Sequence, residues 1–189
     1  MLTKINDLDQ KIVSFLNNLF IRSPLILNKF FAQYLIYFLP LILVLLWFWS
    51  EKAKKVALRG LFAAILAWPI LANLIGRLIN RSRPFEVGGI RELIFHRPTY
   101  SFPSDHAAAI FAISFSLWFS GYKKLSMAIF VMGIIISFFR VATGIHYPSD
   151  ILGGIIVALA AAYLIDLFDK PLEIVYNFIL RIFRMVRLA

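Results

Sequence analysis

Apolar residues run along this chain in long unbroken blocks, with few of the two-residue alternations of a half-buried strand. Five blocks approach the roughly 20 helical residues that a bilayer core requires: 31–50, 58–79, 104–120, 125–141 and 151–168. Pro40 and Pro69 fall inside the first two and predict kinks there. The third is short. The fifth is rich in small residues around Gly153, Gly154 and 158–162, which lets helix backbones approach closely in lipid.

Two flanking segments show helical periodicity of another kind. In 8–20, Leu8, Ile12, Phe15, Leu16, Leu19 and Phe20 share a stripe, while Asp9, Gln10, Lys11, Asn17 and Asn18 lie mostly off it. In 172–188, Arg181, Arg184 and Arg187 oppose Ile174, Val175, Phe178, Ile182 and Phe183. Both patterns predict amphipathic helices lying in the membrane interface. The alternative for 8–20 is a sixth, poor span. The expected fold is all-α: a polytopic transmembrane helix bundle of about five spans plus amphipathic N- and C-terminal helices. It forms a single domain over 1–189, with an interfacial segment at 1–30, a catalytic core at 31–169 and a basic tail at 170–189.

Composition agrees. Hydrophobic residues make up 61% of the chain and charged residues 16%, against about 45–50% and about 25% in soluble domains. The absence of cysteine removes disulfides, thiolate chemistry and zinc–thiolate sites. The net charge of +10 sits at the flanks of apolar runs, as contacts to anionic headgroups require. Nucleic-acid binding is excluded because no basic polar module carries it, and no obligate protein partner is evident. Asp7 and Asp9 stand where a signal peptide needs positive charge. With five spans, the 80–103 and 142–150 loops share a side with the N-terminus. Lys and Arg divide ten to ten between the sides, or seven to ten once Arg77, Arg83 and Arg140 are assigned to substrate. The positive-inside rule then puts the tail in the cytoplasm and the polar loops outside.

Ionisable residues crowd onto the ends of the spans on one side, which marks a functional site in a membrane protein. In the run from Arg140 to Asp150, Pro148 and Ser149 signal a helix start, with His146 just before it and Asp150 in its first turn. A carboxylate there can accept from one imidazole nitrogen and leave the other as an oriented nucleophile. Arg140 presents a planar fork suited to phosphate oxygens. Ser104 is a plausible N-cap at the start of the third span, where backbone N–H groups favour an anion. His106, in that first turn, stands where a general acid is needed. Arg83, before Pro84, and Arg77, about two turns earlier, complete a set suited to a phosphoryl anion without a metal or other cofactor. His96 shows no obvious partner and reads as structural. Arg77, Arg81, Arg91 and Arg97 can also be headgroup contacts, and that reading is preferred for Arg91 and Arg97. Asp166 and Asp169 read as solvated.

These residues resemble the three-part signature of the type-2 phosphatidate phosphatase superfamily. The parts appear here as Arg77 with Arg83–Pro84, as Pro103–Ser104–Asp105–His106, and as Phe139–Arg140 with His146 and Asp150. The resemblance implies a metal-independent lipid phosphatase in which His146 attacks phosphorus and Asp150 orients it. His106 would protonate the leaving oxygen, and Arg77, Arg83, Ser104 and Arg140 would hold the phosphoryl oxygens. Arg77 replaces a lysine in a motif one residue shorter, Asp105 replaces a glycine and Phe139 a serine. The 101–106 and 83–85 runs are similar to the bacterial undecaprenyl-pyrophosphate phosphatase branch. That implies a polyprenyl pyrophosphate substrate, the outer face of the inner membrane, a place in peptidoglycan carrier recycling and a role in bacitracin resistance. A phosphatidylglycerophosphate or phosphatidate phosphatase and a lipid phosphotransferase would share the same residues. A transporter or non-catalytic scaffold is the competing class.

Overall fold

The computed structural model describes residues 2–97 and 99–185, with side chains from residue 6 onward. The tail expectation for Arg187 and Leu188 therefore lies outside the described residues. Within them, all regular elements are helical. Apolar helices long enough to cross a bilayer are Leu25–Trp49, the run beginning at Glu51, Lys123–Ala142 and Pro148–Leu167.

The first crossing starts as a short helix, α2 (Leu25–Lys29). It passes through π- and 3-10-helical turns over residues 30–37 and continues as α3 (Phe38–Trp49). Pro40 sits in the first turn of α3, where its missing N–H is tolerated. The irregular turns lie just before it, in place of a kink at mid-span. The second crossing opens on α4 (Glu51–Ile65), capped by the Ser50 hydroxyl, which accepts from the Ala53 N–H at 3.1 Å. It widens to a π-helical stretch at Leu66–Ala72 around Pro69 and ends as α5 (Asn73–Ile79). Proline cannot donate to the carbonyl four residues back, so the expanded turns absorb the break.

The expected third span is α6 (Asp105–Phe119), only 15 residues. That is about 22 Å of helix, short of a bilayer core of about 30 Å. It is the centre of the bundle, buried continuously over 107–114. It is sheathed by α4, by α7 (Lys123–Ala142) and by α8 (Pro148–Leu167). Gly154 explains how closely α6 and α8 meet: a Cβ there would lie 2.7 Å from the Ser104 carbonyl and from the Ala107 Cβ.

Both terminal segments form amphipathic helices, as expected. In α1 (Leu2–Phe20), Leu8, Phe15 and Leu19 face outward, while Asp9, Val13 and Asn17 are buried. The helix packs on α7 and α8. Asp9 and Asn17 turn inward to hydrogen-bonding partners, while Lys11 and Asn18 stay exposed alongside Leu8, Phe15 and Leu19. Asn17 donates to the Arg91 and Ala142 carbonyls (2.9 and 3.0 Å) and accepts from the Arg91 N–H (2.9 Å), tying the 87–104 connection to the end of α7. At the other end, α9 (Asp169–Met185) folds back on α4, burying Tyr176 and Leu180 against Leu58 and Phe62. Asp166 and Asp169, their side chains 40% and 44% exposed, both pair with Arg59.

Candidate active site

The ends of α5, α7 and the starts of α6 and α8 converge on one side of the bundle, and the polar clusters meet there. The start of α8 is built by a capping arrangement in which Asp150 Oδ2 accepts from the Tyr147 N–H at 2.8 Å. The same helix start fixes α6, because the Asp150 carbonyl accepts from the Ser104 N–H at 3.0 Å. The Ser104 hydroxyl is fully buried and caps α6 toward the Ala107 N–H at 3.5 Å. His146 lies in the turn before α8, 1% exposed.

Two guanidinium groups converge on His146 Nε2. Arg140 Nη2 is 3.0 Å from it and Arg83 Nη1 is 3.3 Å from it. Guanidinium nitrogens only donate, so Nε2 presents its lone pair and the ring proton sits on Nδ1. Nδ1 faces Asp150 Oδ2 across 3.5 Å but makes no hydrogen bond. The expected His146–Asp150 relationship is present as an orientation with the gap still open. Asp150 Oδ1 is held by Arg81 Nη1 at 2.7 Å.

Arg83 and Arg140 are each 2% exposed. Among the described residues neither is ion-paired with a carboxylate. Arg83 donates to the carbonyls of Ile145 (2.8 Å) and Tyr100 (3.0 Å) and to the Thr99 hydroxyl (3.0 Å). Arg140 donates to the Ala32 carbonyl at 3.1 Å. Two buried cations side by side cost free energy unless negative charge compensates them. They burden the imidazole as well: burial first, then Arg140 and Arg83, hold His146 well below the ordinary histidine pKa. A neutral, lone-pair-bearing nitrogen between two guanidiniums can act as a nucleophile toward an anionic group that those guanidiniums turn to hold.

His106 and Asp105 open α6 at the polar end of an apolar cavity of about 410 Å³. Ile36, Leu43, Leu61, Ile65 and Trp68 line its body, between the first two crossings and α6. His106 lies within electrostatic reach of Arg140, His96 and Arg83, so the cavity joins the phosphoryl-facing cluster at its polar end. Asp105 is engaged by the Trp68 side chain.

Arg77 is not brought into this cluster. It is exposed on α5, where its Nε donates to Asn73 Oδ1 at 3.0 Å. Tyr100 donates to the same oxygen and packs over Gly76. Two residues read otherwise in the sequence do join. Arg81 bridges Asp150 and Asp9 (2.7 Å each) and stacks on Tyr147, 4.0 Å from its ring centroid. His96, expected to lack a partner, has Nε2 3.3 Å from Arg140 Nη2. Asp9 also accepts from the Ser149 N–H at 3.1 Å and from the Ser149 hydroxyl. The spacing of Arg81 two residues before Arg83 was a signal for its proximity; nothing local marked His96 or Asp9, which the tertiary fold delivers.

Residues 57–171 match the family model described as PAP2 superfamily. The chain is 30% identical over 159 residues to the undecaprenyl-diphosphatase BcrC of Bacillus subtilis, covering 83% of this chain and 81% of that protein. It is 31% identical over 132 residues to the putative undecaprenyl-diphosphatase YbjG of Escherichia coli, covering 69% and 66% respectively. The fold is similar to the crystal structure of Aquifex aeolicus LpxE, with a TM-score of 0.62 at 23% identity, over 82% of this chain and 92% of that one.

Proposed function

This chain belongs to the PAP2 superfamily and is a membrane phosphatase, and we propose that it removes the terminal phosphate of a polyprenyl diphosphate, undecaprenyl diphosphate above all. One observation carries the reading: His146 Nε2, bare of its proton, stands between the buried guanidiniums of Arg83 and Arg140. The names of the relatives supply the substrate class. The apolar cavity that ends at His106 supports a substrate with a long hydrocarbon chain.

In this reading Nε2 attacks the terminal phosphorus as the bond to the bridging oxygen breaks. His106 gives its proton to that oxygen, releasing the lipid monophosphate. Arg83, Arg140 and the start of α6 at Ser104 stabilise charge on the transferring group. Asp150 closes on Nδ1–H as the imidazole gains positive character. Water then attacks the phosphohistidine, His106 takes up the water's proton, and inorganic phosphate leaves. No step calls on a metal. Arg77, exposed on α5 beside Tyr100, would meet a phosphoryl oxygen from the rim of the site. Residues 1–189 act as one domain, and the site faces the outside of a bacterial inner membrane, where carrier lipid is recycled for peptidoglycan and where bacitracin resistance would follow.

Phosphate release by the purified protein, with undecaprenyl diphosphate and phosphatidylglycerophosphate in parallel, tests the substrate. Preference for the polyprenyl lipid is expected. Preference for the glycerolipid would overturn the substrate assignment and retain the site, and release from neither would overturn the hydrolase reading.

A further inference from the structure

His96 lies in the connection between α5 and α6, yet its ring stands 6.3 Å, centroid to centroid, from that of His146. Its Nε2 is 3.3 Å from Arg140 Nη2, the same nitrogen that is 3.0 Å from His146 Nε2. One arginine nitrogen therefore joins two imidazole lone pairs. On the far side of the ring, Nδ1 is 2.9 Å from the Arg97 carbonyl. A carbonyl only accepts, so Nδ1 carries the ring proton and Nε2 is bare. The His96 N–H donates to Glu92 Oε1 at 2.5 Å, which fixes the base of the side chain.

We propose that His96 is a further catalytic residue: a phosphoryl ligand that donates from Nε2 to the bound anion beside Arg83 and Arg140. The inference rests on the phosphoryl site described above and deepens it.

The reasoning concerns where protons can go. When a phosphoryl oxygen accepts from Arg140 Nη2, His96 Nε2 loses its donor and meets the anion lone pair to lone pair. That contact is repulsive until Nε2 takes a proton. Nδ1 stays committed to Arg97, so the added proton falls on Nε2 and makes an imidazolium that donates at both ends. Burial, Arg83 and Arg140 hold His96 at a pKa of about 4. His106 and His146, which feel its charge, also disfavour a proton there. The Arg97 carbonyl favours one, as does any phosphoryl dianion or trianion. Anion binding near neutral pH is thus coupled to proton uptake at His96.

Orthophosphate is the probe, titrated calorimetrically into the full-length protein in detergent near pH 7, in two buffers of different ionisation heat. Wild type should take up about one proton more per phosphate than His96→Gln. The glutamine amide can donate without titrating, so His96→Gln should keep most of the affinity. His96→Ala should lose about tenfold in affinity as well as the proton. Uptake unchanged in both variants would overturn the role of His96 while leaving the Arg83–Arg140 site standing. No phosphate binding by wild type would overturn both.

Discussion

Arg81 grips Asp150: its Nη1 is 2.7 Å from Oδ1, while the other carboxylate oxygen stands 3.5 Å from His146 Nδ1. Arg81 in turn is anchored by Asp9 of α1, at 2.7 Å from Nη2. The orientation of the proposed nucleophile therefore depends on a chain of charges that begins in the N-terminal helix, before the residues matched by the family model.

Arg81→Leu leaves the buried Asp150 without its cation. Breaking a buried pair from one side costs about 3 kcal/mol, and the side chain of Arg81 is only 21% exposed. Turnover should fall by at least about tenfold, because the carboxylate is no longer aimed at Nδ1. Arg81→Lys should recover part of both losses. Thermal midpoints and initial rates of phosphate release, measured on the same preparations, check this; an unchanged rate would show that Arg81 is only a headgroup contact.

Asn17→Leu removes three hydrogen bonds and strands backbone groups of Arg91 and Ala142. Unsatisfied buried polar groups cost about 1–3 kcal/mol each. The 87–104 connection should become more sensitive to proteolysis, whereas Phe15→Ala, on the 69% exposed outer side of the same helix, should leave it unchanged. Equal sensitivity in the two variants would show that Asn17 does not hold the connection.

The contrast between these two positions shows what the sequence could convey. Helical periodicity located α1 and α9, and the apolar blocks located the crossings, because those patterns are local. Which side of α1 faces the protein was not local. Leu8, Phe15 and Leu19 turn outward, while Asp9 and Asn17 turn inward because partners on distant elements hold them there. Within the site, His146, Arg140, Asp150, Ser104, His106 and Arg83 were legible as clusters at helix ends. His96 and Asp9 were not, since only tertiary packing brings them there.

Gly154→Ala should separate α6 from α8, because the new Cβ would meet the Ser104 carbonyl and Ala107 Cβ at 2.7 Å. Overpacking of this kind costs about 1–3 kcal/mol. The larger effect should fall on rate, since the shift moves His106 relative to His146. A variant with wild-type kcat would show that the two helices need not be held so closely.

Acid should destabilise the protein. Burial, with Arg83 and Arg140, lowers the His96 pKa to about 4 from 6.5, and His146 is lowered in the same direction. The unfolded chain takes up these protons first, so stability present above about pH 6.5 is lost as pH falls toward 4. Thermal midpoints across that window should drop with pH, and the slope should be shallower in His96→Gln. A flat wild-type profile would contradict the neutral, buried state of these imidazoles.

The most direct test of the account is to quench turnover of polyprenyl diphosphate labelled at its terminal phosphate and to look for label on the protein. The account predicts an acid-labile, base-stable phosphoramidate on the peptide containing His146, absent from His146→Ala and accumulating in a variant slowed in the water step. Label on another residue, or undiminished phosphate release by a folded His146→Ala protein, would contradict it.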